Sequence, residues 1–101
     1  MKTADLHFHS TFSDGKHSID ELSTWLDAAS QDGLSLAVLT DHDGVAGFEI
    51  MSQLQKSWWA GVCASEFSCE FEDSQVGRVR GLHLLVYGID PQDEDLKSYF
   101  E

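Results

Sequence analysis

The sequence predicts an α/β fold, and three observations carry that prediction. Residues 19–31 repeat apolar side chains at helical spacing behind a capping box, residues 35–40 form a nearly continuous apolar run, and residues 61–72 and 78–88 alternate around a turn-prone segment. The order strand, helix, strand, helix, hairpin follows. A chain of 101 residues makes one small domain, 1–101, with a thin core.

Residues 3–8 (TADLHF) are β-prone, and the polar, glycine-containing stretch HSTFSDGKHS turns the strand into a loop. Ser18-Ile19-Asp20-Glu21 then matches a capping box, in which hydroxyl and carboxylate each satisfy a backbone N–H that a helix start leaves without a partner. Ile19, Leu22, Trp25 or Leu26, and Ala29 make the apolar stripe, and Gly33 supplies the stop, so a helix is predicted over 19–31. The run SLAVLT at 35–40 has the pattern of a parallel strand covered on both faces, with TDHDG as the loop at its end. Phe48, Met51 and Leu54 or Gln55 share one face of a second helix ending near Lys56, where Trp58 and Trp59 pack. A hairpin closes around Asp73-Ser74-Gln75-Val76-Gly77, and residues 90–101 begin another helix.

Composition narrows the function. Hydrophobic residues are 42% of the chain, including three Trp and six Phe, too many for a disordered segment. The net charge of −12, from 18 acidic and six basic side chains, disfavours broad binding to nucleic acid or anionic membranes. Bound divalent cations would reverse that locally and admit a phosphate. The segment Met1-Lys2-Thr3-Ala4-Asp5 has no apolar signal core, and no run approaches the roughly 18 apolar residues of a membrane span, so a cytoplasmic setting is expected. Cys63 and Cys69 are too few and wrongly spaced for a disulfide framework or a CxxC knuckle, and read as reduced thiols.

The histidines carry the chemistry. His7 and His9, separated by one residue in a predicted strand, would face the same way and grip one cation, although an HxH pair also fits two polar residues leaving a sheet. Asp14 lies in a Ser-Asp-Gly turn that either folds a carboxylate back toward the strand end or is an ordinary turn. His42 stands at the C-terminal end of the second predicted strand, the edge where parallel α/β sheets bind ligands. A hairpin symmetric about Ser74-Gln75 would set Glu66 directly opposite His83, either as a metal site or as a simple Glu–His pair. Asp41 and Asp43 flank His42 and are candidates to orient it or a water. His17 reads as a surface side chain. Mixed imidazole and carboxylate donors suit Zn²⁺, Mn²⁺ or Fe²⁺ better than a cation that needs an all-oxygen cage.

Asp5-Leu6-His7-Phe8-His9-Ser10-Thr11-Phe12-Ser13-Asp14-Gly15 resembles the opening motif of the PHP (polymerase and histidinol phosphatase) family, and Leu39-Thr40-Asp41-His42-Asp43 resembles its second. Ala64-Ser65-Glu66-Phe67-Ser68, followed by Leu82-His83-Leu84-Leu85-Val86-Tyr87-Gly88-Ile89-Asp90, is similar to the third, with Cys63-Ala64-Ser65 where the family has Gly-Val before the glutamate. The resemblance implies a partial (β/α)7-type barrel holding up to three metals at its C-terminal rim. His7 and His9 would hold one, Glu66 would bridge to a second that His83 also binds, and Asp14 with His42 would hold a third. It implies a hydrolase, a metal-dependent phosphoesterase acting on a small phosphomonoester or on a nucleotide or oligonucleotide end. The alternatives are a metal-binding fragment without turnover, and an exonuclease or structural module of a DNA polymerase. Members of the family continue well beyond this length and draw further ligands from there, so self-association, or another chain completing the fold, is expected.

Overall fold

The computed structural model of the chain describes residues 2–100. Met1 and Glu101, the ends of the N-terminal and tail segments read above, lie outside the described residues. In order, the elements are β1 (Thr3–Asp5), α1 (Ile19–Gln31), β2 (Leu34–Ala37), α2 (Ala46–Gln53), β3 (Ala64–Asp73), β4 (Gly77–Tyr87) and α3 (Glu94–Phe100).

Local chemistry sets α1. The Ser18 hydroxyl accepts from Glu21 N at 3.2 Å while the Glu21 carboxylate takes the Ser18 N–H at 3.3 Å, so the helix starts where the capping box requires. Of the two candidates for its apolar stripe, Leu26 is buried, whereas Trp25 is exposed and lies beside the His17 ring. The core gathers Ile19 and Leu26 from α1, Ala37 and Leu39 from β2 and its continuation, Met51 from α2, and Trp58. Trp58 and Trp59 pack behind α2, as expected. The Trp58 indole donates to Asp27 Oδ1 at 2.9 Å and the Trp59 indole to Ser52 Oγ at 2.9 Å, giving each indole N–H a partner.

Two strand expectations need correction. The first two strands are shorter than the runs 3–8 and 35–40 because their parallel ladder slips. Val38 N donates to Asp5 O, but Thr40 N donates to Phe8 O, so three residues on the first segment face two on the second. His7 and His9 therefore lie past the end of β1. In the hairpin, Glu66 pairs with Leu85 and His83 with Ser68, so the two are diagonal rather than directly opposed. The extra residue sits at Arg80-Gly81, where Gly81 takes a left-handed φ of 75° that a side chain would resist. With the hairpin centred on Gln75 as well, the pairing is offset by two residues from the expected one, which preserves the face, and Glu66 and His83 still meet.

The strands form two two-stranded sheets, parallel β1–β2 and antiparallel β3–β4, joined by isolated bridges Ala37↔Trp59 and His42↔Glu66. The architecture is mixed α/β without a closed barrel among the described residues. The hairpin projects, and the Cα radius of gyration of 15.3 Å exceeds the roughly 13 Å of a compact chain this long. Leu82, Leu84 and Tyr87 on β4 are exposed. No helix among the described residues is long and apolar enough to cross a membrane.

Candidate metal centre

Three segments deliver the site. The chain leaving β1 carries His7, His9 and Asp14, the loop after β2 carries His42, and the hairpin carries Glu66 and His83. The bridge between His42 and Glu66, with Asp43 N donating to Glu66 O at 3.0 Å and Glu66 N to Asp41 O at 2.9 Å, locks the second segment to the third. Tyr87 closes the first against the third by donating its hydroxyl to Leu6 O at 2.5 Å.

All six residues singled out as ligands converge. Glu66, only 4% exposed, stands at the centre. Its Oε1 lies 2.5 Å from His7 Nε2 and 3.5 Å from His9 Nε2, and its Oε2 lies 2.5 Å from His83 Nδ1 and 3.5 Å from His42 Nδ1. Asp14 approaches from the open side, 3.2 Å from His42 Nε2 and 3.7 Å from His9 Nδ1. The His9 and His42 rings stack with centroids 4.5 Å apart. Three overlapping groups of donors result, His7–His9–Glu66, His9–Asp14–His42 and His42–Glu66–His83, the donors of each group lying within 4.8 Å of one another. His9, His42 and Glu66 each belong to two of them.

Burial by itself would push the Glu66 carboxyl upward, but hydrogen bonds from His7 and His83 and the charges of His42 and His7 outweigh it and hold the group below its ordinary range. Glu66 therefore meets the site as an anion at neutral pH. His9 Nδ1 is, among the described residues, a buried side-chain nitrogen without a hydrogen-bond partner. A donor atom buried without a partner, beside a carboxylate at ion-pair range, is what a cation between them would satisfy. The residues present fit a divalent metal.

Asp41 and Asp43 do not orient the His42 ring. Asp41, 3% exposed, spends its carboxylate on Ser10 N, Ser10 Oγ and Ser13 Oγ at 2.6, 2.6 and 2.8 Å. Asp43, with a left-handed φ of 49°, turns its carboxylate to Ser68 N and Oγ at 2.9 and 2.8 Å, and the Ser68 N–H is the main cause that holds its carboxyl below the usual range. Asp41 fixes the loop after β1, and Asp43 ties its own loop to β3 instead. Sequence reading missed Ser10 and Ser13 in the loop after β1 and Ser65 and Ser68 in β3, because serine is common and the partner of each lies far along the chain. It also missed the tight seat of Gly15, where an added Cβ would overlap the His9 and Ser10 backbone.

A cavity of about 470 Å³ opens beside His42 and Asp43, lined also by Phe12, Pro91, Lys97 and Phe100.

No protein-family model matches the chain, and no curated protein matches it. A solved structure does. A protein of Bifidobacterium adolescentis, described provisionally as a metal-dependent phosphoesterase, superposes with a TM-score of 0.69 at 27% identity over 98% of this chain and 32% of that one. This chain thus spans about a third of the length of the protein it resembles.

Proposed function

We propose that this domain is a metal-dependent phosphoesterase whose ligands are His7, His9, Asp14, His42, Glu66 and His83. The observation that carries the reading is the buried, ionised Glu66 with four imidazoles around its two oxygens, an arrangement that shares one carboxylate between two donor groups. The similarity to a metal-dependent phosphoesterase adds to it. Zn²⁺, Mn²⁺ or Fe²⁺ matches the mixed nitrogen and oxygen donors. When bound, such ions supply an activated water and charge stabilisation for a phosphate.

The chain's own part is to hold the donors in place. Hydrogen bonds from His7 and His83 and the charges of His42 and His7 outweigh the burial of Glu66 and favour its anionic form, and the stacked His9 and His42 rings keep their nitrogens on two donor groups at once. The cavity beside His42 has room for the organic part of a small phosphomonoester or of a nucleotide or oligonucleotide end, with Lys97 as its cation and Phe12 and Phe100 as apolar walls. A cytoplasmic setting belongs to the same proposal. Burial pushes the Cys63 thiol up to about 11, so it stays protonated and inert there.

With Mn²⁺, the purified chain is expected to hydrolyse an aryl phosphate, and the His7→Ala/His9→Ala chain is expected to lose that turnover. Metal bound without turnover in both would favour the second reading, a binding domain alone. One observation supports that second reading: the side chains of His7, His83 and Asp14 are 50%, 49% and 68% exposed, so water reaches the centre from one side.

The apolar residues left open on β4 and the uncovered sheet edges support self-association, or pairing with another chain, as part of the proposal. Light scattering coupled to size-exclusion chromatography is expected to give a mass above one chain. A clean monomer across the micromolar range would rule out self-association, and full turnover by that monomer would rule out the need for any partner.

A further inference from the structure

Asp41 is a buried carboxylate that no lysine or arginine contacts among the described residues, and all three of its side-chain hydrogen bonds run to one loop. A buried carboxyl is costly unless hydrogen-bond donors surround it, and Asp41 has three. The loop it holds, residues 10–13, turns on itself through Ser13 N and Gly15 N, both donating to Ser10 O at 3.0 Å, and leads directly to Asp14. The Asp14 carboxylate is 68% exposed, and His9 and His42 are its ion-pair partners. Its place is therefore set by the loop. On the other side, the Asp41 carbonyl accepts from Glu66 N and from Ser65 Oγ, each at 2.9 Å, and Ser65 Oγ in turn accepts from Gly44 N at 3.1 Å.

We propose that Asp41 is a positioning residue that ties the Ser10–Asp14 loop, His42 and Glu66 into one frame, and that it sets the metal affinity of the His9–Asp14–His42 group in particular. The proposal rests on the metal reading of the site. The side chain acts on the loop alone, whereas the carbonyl, which any residue would supply, serves Glu66. Loss of the carboxylate should thus release Asp14 and leave the His7–His9–Glu66 group in place. An amide in its stead would lose one acceptor and set an N–H₂ against the Ser10 N–H or a serine hydroxyl.

The test is a Co²⁺ titration of the full chain followed by ligand-field absorption, comparing the original sequence with Asp41→Asn, Asp14→Ala and Ser13→Ala. Groups that orient ligands change affinity by about 10–100-fold. Asp41→Asn is expected to weaken one class of Co²⁺ by that factor, the same class that Asp14→Ala removes, with the remaining Co²⁺ unchanged. Ser13→Ala, which removes one of the three bonds, is expected to weaken the same class by less. If Asp41→Asn binds every Co²⁺ as the original chain does while Asp14→Ala loses one, the positioning role is wrong and the metal reading stands. If Asp14→Ala also binds normally, the metal reading of that group is wrong and the proposal goes with it. Should Asp41→Asn fail to fold, Ser13→Ala decides, and unchanged Co²⁺ binding by that variant overturns the proposal.

Discussion

Replacing Glu66 with alanine is expected to remove most of the bound metal, and replacing His7 and His9 together is expected to do the same by a different route. Glu66 serves two of the three donor groups, so its loss leaves each with two imidazoles, while His9–Asp14–His42 stays whole. The double histidine change instead breaks His7–His9–Glu66 and His9–Asp14–His42 and spares His42–Glu66–His83. Each should weaken the affected groups by more than the roughly 10–100-fold that accompanies loss of a supporting hydrogen bond, because a donor itself is gone. His17→Ala is the control, since His17 pairs with Glu21 on the surface of α1 and belongs to no donor group. Elemental analysis of the purified proteins reads the outcome directly. Equal metal content in all four proteins would sink the assignment. The same ligands tie metal to folding, so a chelator should lower the melting temperature of the original chain and leave Glu66→Ala much less affected. Saturation at about 100 times the dissociation constant is worth about 2.7 kcal/mol.

Trp58→Ala is expected to destabilise the domain by about 3–5 kcal/mol, the cost of emptying a buried aromatic site. Trp58 is 2% exposed, the largest fully buried side chain, and it touches the core built by α1, β2 and α2. Its indole also holds Asp27, whose carboxyl is kept low first by Lys56 at 2.7 Å and then by the indole itself, so one side chain both fills the core and fastens α1 to the segment after α2. In a domain of this size each kcal/mol moves the melting temperature by about 4–8 °C, and the shift should exceed ten degrees on that scale. Trp58→Phe keeps most of the volume and loses the indole bond, so a smaller fall of about 1–3 kcal/mol is expected. Circular dichroism on heating measures both. A loss under about 1 kcal/mol for Trp58→Ala would show that the core collapses around the gap and that Trp58 does not organise it.

Much of this was legible in the residues. The capping box and the spacing of Ile19, Leu22 and Leu26 determined α1 to the residue, because a helix start is governed by hydrogen bonds spanning three or four positions. The second helix, the hairpin and the tail helix were legible from apolar spacing and turn residues, although the second helix, which has no side-chain cap, ends at Gln53 rather than near Lys56. His7, His9, Asp14, His42, Glu66 and His83 could be picked out as candidates from their places at predicted strand ends and from motifs that resemble a known family, and the fold brings all six together.

What the sequence could not decide lies at longer range. The slip between the first two strands takes His7 and His9 out of the strand that was expected to align them, through bonds between segments more than 30 positions apart. The one-residue bulge at Arg80-Gly81 depends on which partner the β4 backbone meets. Asp41 looked like a group for orienting His42, yet its carboxylate turns to Ser10 and Ser13, 31 and 28 positions back along the chain, and Asp43 turns to Ser68, 25 positions ahead. By itself the sequence determined which elements form and which side chains carry donors, since those follow from interactions within a turn or two of the chain. Tertiary structure alone decided which donors share Glu66 and which carboxylates are used up on loops, because a hydrogen bond between distant segments forms only after packing has brought them within about 3 Å.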